Sequence, residues 1–261
     1  MKRLFEFIKY MAKVTILTRI RYKVGILSDL LIMVGTYVLV FYSGGFKVMA
    51  EELAISNDKA RVVVLIGFIF WQFSVYALGA TKNSIEGDFR SGTIEAYVQS
   101  RYSLPFIYFV ELIMGLVSNL IVVTAILLVS YFLNSGGNTQ FARAIASLIF
   151  VIPSIVGMYG FGLMLSAVVI KEKAVGSLTM IIQVLLIFAS NTLQLSRGIL
   201  DYIIPFSNGT TIARNFYLKQ HLDLKLILAY IIINAIWFLI GYFIFNTAIS
   251  KERLVGSFDR Y

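Results

Sequence analysis

Six stretches of this chain are long and apolar enough to cross a bilayer as helices, and they constrain the fold more than any other feature. A hydrocarbon core of about 30 Å takes roughly 20 apolar residues in helical form. Such runs fall at about 24–43, 62–80, 104–133, 142–170, 174–196 and 223–249. They are continuous, whereas the strands of a membrane barrel would alternate in polarity over segments of about ten residues. Only 14% of the 261 residues are charged, against roughly 25% in a soluble domain. That is too few to coat a water-facing surface. The expected fold is an all-α membrane protein with six transmembrane helices, one membrane domain over residues 1–261. Pro105 opens the third run, where a missing N–H is harmless, and Pro153 inside the fourth should kink or break it.

An even number of spans puts both termini on one side. Lysine and arginine collect on the cytoplasmic side of short loops. With the N-terminus inside, 15 of the 23 basic residues fall on the inner segments and 8 on the outer ones. The expectation is a multi-pass protein of the cytoplasmic membrane with both termini cytoplasmic. The net charge of +9 is then a topological signal, and no nucleic-acid partner is implied. The chain has no cysteine, which excludes disulfides and thiolate metal sites. The charged start lacks the short apolar core of a cleavable signal.

Two further elements stand apart from the spans. Residues 1–23 read as an amphipathic helix lying in the membrane interface, in contact with lipid headgroups. Leu4, Phe7, Ile8, Met11 and Val14 share one face, Lys2, Glu6, Lys9 and Lys13 the other, and Phe5 breaks the pattern. Residues 197–222 are too short and polar to span, yet carry Ile199, Leu200, Ile203, Ile204 and Phe206 around Pro205. Such a segment re-enters or lies on the outer surface, and irregular backbone is tolerated at depth only when protein shields it.

Catalytic chemistry is hard to find. The single histidine, His221, has no second histidine or cysteine to make a metal site with, and no nucleophile and base fall together. No G-x-x-x-x-G-K-[ST] occurs, so the chain holds no P-loop for ATP. Glu111 lies about two turns into the third run, where an ionisable group costs about 2.5–3.5 kcal/mol on insertion scales unless it reaches water or a partner. One such residue argues against an ion-coupled carrier, which remains the alternative. Gln72, Ser118, Asn119, Asn191 and Gln194, with Ser74, Thr124, Gln183, Ser190 and Thr192, are polar positions that suit either helix contacts or a substrate pathway. Gly157, Gly160 and Gly162 allow close packing of the fourth helix.

The most polar long stretch between two spans is "EGDFRSGTIEAYVQSRYS", residues 86–103. Glu86, Gly92, Thr93, Ile94, Glu95 and Ser100 match a pattern of the segment after the second span in permease subunits of type-2 ATP-binding-cassette transporters. Arg101 stands where that pattern usually has proline. "GFGLMLSAVVIKEKAVGSLTMIIQVLLIFAS" (160–190) is similar to the family's fourth and fifth spans, and "IIPFSNGTTIAR" (203–214) resembles its outer loop. The usual Ser-Gly-x-x-x-Pro after the fifth helix is replaced by "SNTLQLS" (190–196). The resemblance covers nearly the whole chain.

It implies an export permease, not itself an enzyme, that pairs with a second permease (an identical copy or a paralogue). A separate ABC ATPase subunit would bind ATP and Mg, and this chain would bind no cofactor. Residues 81–103 would form a cytoplasmic coupling segment on that ATPase, through Glu86, Asp88, Arg90, Thr93, Glu95 and Arg101. The cargo, of drug, lipid, peptide or glycan-like character, would pass along the dimer interface between the first, second and fifth helices.

Overall fold

The computed structural model describes residues 2–21, 23–134, 138–172, 176–188 and 198–255. Among these it holds helices and turns and no strand. Helix α1 (Lys2–Arg21) leads into α2 (Lys23–Tyr42), a short α3 (Gly45–Leu53), and the long α4 (Asn57–Ser91). A one-turn α5 (Ile94–Val98) joins α4 to α6 (Leu104–Leu133). Then come α7 (Asn138–Ser147), a 3₁₀ turn at Leu148–Phe150, α8 (Val151–Glu172) and α9 (Gly176–Phe188). The chain closes with α10 (Leu200–Ile203), α11 (Ser207–Leu218) and α12 (Leu224–Val255).

Among the described residues, five stretches are long and apolar enough to cross a membrane: Val24–Tyr42, Asn57–Ser91, Leu104–Leu133, Phe141–Glu172 and Leu224–Arg253. The protein is an all-α, multi-pass membrane protein. Ser177–Ile187 is a shorter apolar helix. It falls inside the fifth expected run, 174–196, whose remainder from 189 lies outside the described residues.

Helix α4 is the axis of the bundle. Of its most apolar stretch 94% is buried, against 17% for α2 and for α12. Helices α6 and α8 pack against it, and α12 packs on the far side of α8. Glycines set how closely α8 and α12 approach. A methyl group on Gly241 would lie 1.9 Å from the Gly160 carbonyl oxygen, and one on Gly160 would lie 2.4 Å from Phe238 Cα. Gly162 does the same against α4, where a methyl would lie 2.9 Å from the Leu78 oxygen. The three small residues expected to serve packing are therefore contact points, Gly157 among them, facing Asn234.

Pro153 does not kink the fourth span where it stands. It occupies the first turn of α8, a position that needs no N–H, and the break lies just upstream as the 3₁₀ turn. The neighbouring Ser154 amide also takes a partner from another helix. Tyr230 supplies it: its hydroxyl accepts from Ser154 N at 3.0 Å and donates to the Phe150 oxygen at 2.8 Å.

The segment before the last helix is a packed element, with Ile204 to Thr210 all buried. Its backbone is held from α12, where Asn234 Nδ2 donates to the Pro205 oxygen at 2.9 Å and Trp237 Nε1 to the Ile203 oxygen at 2.7 Å. Arg214, buried in α11, donates through Nε to the Val63 oxygen of α4 at 3.2 Å. Burial pulls its guanidinium pKa down to about 9, while the Glu52 carboxylate pulls it back, so it stays charged at neutral pH.

Because two helix backbones meet at Gly241, Gly241→Val is expected to destabilise the protein by about 2–3 kcal/mol through overpacking. Gly35, with nothing within 4 Å of an added Cβ, provides the control. Thermal unfolding in detergent should drop for Gly241→Val and stay put for Gly35→Val.

Candidate functional site

The 81–103 stretch does not fold as one separate polar helix. Glu86, Asp88 and Arg90 lie on the last turns of α4, which runs on past its apolar part to Ser91. Gly92 ends it. Its φ of +70° is in the left-handed region that favours glycine, and two bonds close the turn: Thr93 N to the Asp88 oxygen at 3.0 Å, and Gly92 N to the Phe89 oxygen at 3.3 Å. Thr93 then reaches back, its Oγ1 donating to Asp88 Oδ1 at 2.7 Å. The Gly-Thr pair of the sequence pattern is thus a helix stop that fixes where α5 begins.

Four of the six predicted coupling residues, Glu86, Asp88, Arg90 and Thr93, are paired within the chain, and Glu95 also makes an interaction there. Glu86 is buried and forms ion pairs with Lys82 on one side and Arg90 on the other, each four residues away on the same helix. It was expected to reach donors on a partner, and instead it neutralises a lysine whose side chain is only 4% exposed. Asp88 accepts from Thr93 and, through Oδ2, from the Tyr108 hydroxyl at 2.9 Å, which clamps α4 to α6. Arg90, Thr93, Glu95 and Arg101 are the exposed members of the set. Glu95 lies on α5 and Arg101 just beyond it, while Ile94 is buried beneath.

That short helix is braced from four directions. Tyr97 meets Tyr108 of α6 edge-on, with ring centroids 6.4 Å apart. From the other end of the chain, Arg253 of α12 donates to the Val98 oxygen at 3.2 Å. Helix α1 lies alongside, with the Phe7 ring 4.7 Å from Tyr102 and Met11 buried against Ile107 and Val110. Residues Phe7 and Met11 belong to the predicted apolar face of α1, and Phe5, the exception to that pattern, is 67% exposed. Asp88 and Thr93 tie in α4. Tyr108 and Arg253 escaped the sequence reading because nothing in their local sequence distinguishes them from other span-end residues.

A second polar locus lies deeper. Gln72 of α4 and Asn119 of α6 are both 5% exposed, and Gln72 Nε2 donates to Asn119 Oδ1 at 3.3 Å. Ser118 and Glu111 join them in lining one cavity of about 520 Å³, between α2, α4, α6 and α9. Four of the six predicted pathway and intramembrane positions are thus brought together. The other two, Asn191 and Gln194, lie outside the described residues. The cavity adds Asp29, Asn83, Ser84 and Gln183. Gln183 tethers α9 to α4: its Nε2 donates to the Val75 oxygen at 3.4 Å, and its own backbone oxygen accepts from Trp71 Nε1 at 3.3 Å. The spacing 111, 115, 118, 119, 122 on α6 is a helical stripe, legible once α6 is known to face α4.

No family model matches the chain, and no curated protein matches it.

Glu86→Gln leaves Lys82 buried beside a neutral group, and removing one member of a buried pair costs about 3–5 kcal/mol. Because Lys82 also donates to Asn83 Oδ1 at 3.4 Å, a loss of about 2–3 kcal/mol is expected, still within the class of broken buried networks. Lys82→Met combined with Glu86→Gln should recover most of it. Denaturation of the three variants in detergent checks the pattern.

Proposed function

We propose that this chain is the membrane-spanning permease subunit of an exporter powered by a separate ABC ATPase. The observation that carries the reading is the bracing of α5. A motor can move a bundle only through an element rigidly tied to its spans, because packed helices respond to force as units. Helix α5 presents Glu95 to solvent while contacts from α4, α6 and α12 hold it and α1 packs on Tyr102 just beyond it. A solvated loop that merely joined two helices would need none of these ties. The sequence resemblance of residues 86–103 to type-2 permeases supports the same reading.

In this proposal α9 and residues beyond it complete a sixth span, both termini are cytoplasmic, and residues 198–218 form a re-entrant outer element shielded by α4, α8 and α12. A second permease, identical or a paralogue, sits against the exposed apolar faces of α2 and α9, such as Leu31 and Ile181. ATP and Mg bind the ATPase subunit. Exposed Glu95 and Arg101 contact that subunit, with Arg90 beside them, whereas Glu86, Asp88 and Thr93 serve by keeping α5 in place.

Affinity purification of the tagged chain from its native membranes tests this directly. A P-loop ATPase should co-purify, and Glu95→Lys should lower its yield by roughly tenfold, which corresponds to about 1.4 kcal/mol, with membrane insertion unchanged. Wild-type chain that captures no ATPase, or a variant that captures it equally well, overturns the proposal. Orientation has its own test, since the chain lacks cysteine. An impermeant maleimide added to intact cells should label Gln220→Cys and spare Gln99→Cys, both exposed positions.

A further inference from the structure

We infer that the cavity between α2, α4, α6 and α9 is a binding site for an amphiphilic cation, with Glu111 as the group that receives the positive charge. The inference rests on the permease reading for its purpose, since it names the class of cargo, but its physical basis is local.

The charge lining this cavity has one sign. Among its described lining residues Asp29 and Glu111 are acidic and none is lysine or arginine; Asp29 is already engaged within the chain, which leaves Glu111 as the receiving group. The nearest lysine along α4, Lys82, is committed to Glu86. Ser84, which lines the same cavity as Glu111, is a neutral neighbour that does not cancel a carboxylate's charge. A carboxylate at this depth is costly unless a cation or water reaches it, and the cavity is the route by which one can.

A second observation points independently to a ligand. Gln72 and Asn119 satisfy each other with one hydrogen bond and stop there. Gln72 Oε1 and Asn119 Nδ2 are buried with no partner, although both side chains line the cavity. An unpaired buried amide atom costs about 1–3 kcal/mol, so a site that keeps two of them is built for an incoming polar group or for water carried with it.

The shape supplies the amphiphile. From Glu111 to Asn119 the cavity follows two turns of α6, about 12 Å at 1.5 Å per residue. The apolar part of its lining includes Met33, Val75, Leu112 and Val122. A cationic head at Glu111, an apolar body against these side chains and a polar contact at Gln72 and Asn119 match the cavity along its length. An anionic or purely polar solute would meet Glu111 without compensation.

Tetraphenylphosphonium and tetraphenylborate, a lipophilic cation and anion of the same shape, separate charge from hydrophobicity. Their binding is measured on the full chain in phosphatidylcholine nanodiscs with no ATPase present. Saturable binding of the cation and none of the anion is expected. Glu111→Gln should weaken the cation at least tenfold, and Glu111→Asp should restore much of the loss. A protection measurement stands apart from these variants: Asn83→Cys lines the cavity, and the cation should slow its maleimide labelling while leaving Gln99→Cys unaffected. Equal binding of both ions, an affinity for Glu111→Gln within twofold of wild type, or unslowed labelling at position 83 each overturns the site. Since no ATPase enters these assays, their failure leaves the co-purification result untouched. A failed co-purification with binding intact would instead remove the motor and keep the site.

Discussion

In hydrocarbon, water does not compete for backbone amides and gives helices no hydrophobic reason to associate. Helices there hold together by close van der Waals contact and by hydrogen bonds that find no alternative. This protein meets the constraint at Gly160 and Gly241, where α8 and α12 come so near that a single added methyl group would overlap backbone atoms. Gly162 repeats the contact against α4. The resulting α4, α8 and α12 layer is the rigid part of the molecule, and the rest is arranged around it. The outer element is bonded to α12 through Asn234 and Trp237 and to α4 through Arg214. At the opposite end of α4, helix α5 is bonded to α4 through Thr93 and to α12 through Arg253.

Helix α4 therefore connects two specialised ends across the full thickness of the bundle. Its 35 residues at 1.5 Å each span about 50 Å, well beyond a hydrocarbon core of about 30 Å. A displacement of α5 cannot be absorbed by a flexible joint below the membrane, because Gly92 closes the helix with two backbone bonds and Thr93 locks the turn. On the proposed function, α4 is the lever. Its middle carries Gln72, Val75 and Asn83 along one wall of the cavity, so movement at its end reaches the cavity without an intermediary.

Much of this was legible in the sequence, and the misses have physical causes. The runs at 24–43, 104–133 and 223–249 correspond closely to Val24–Tyr42, Leu104–Leu133 and Leu224–Arg253, because apolar length alone decides a lipid-facing helix. The run at 62–80 ended too early. Polarity after Ala80 marks where α4 leaves the apolar region, but a helix needs no apolar face to continue when Lys82, Glu86 and Arg90 pair at four-residue spacing. That spacing was available in the sequence and would have shown Glu86 to be internally spent. Helix α3 was not anticipated; it starts from a turn in which Gly44 takes a φ of +82°. The amphipathic nine residues after it bury only Met49 and Ala50, too weak a pattern to register. The Asp88–Tyr108 clamp joins residues across the α5 turn, and no one-dimensional period reports such a contact.

The two polar loci differ in what their residues are left to do. Around α5 most polar side chains are consumed: Asp88 has two donors, Glu86 two cations, and Arg253 a carbonyl. Such saturation is what holding a shape requires, because a satisfied network is rigid and an incomplete one is costly. In the cavity the chemistry is left incomplete, with one amide atom each on Gln72 and Asn119 unpartnered. A bundle selected only for stability would fill that space with apolar side chains, since replacing buried polar pairs by well-packed apolar ones is often neutral or favourable. Keeping an unfilled cavity of about 520 Å³ beside a carboxylate costs stability with no structural return. On the proposed site, a cation bound at Glu111 would offset that cost.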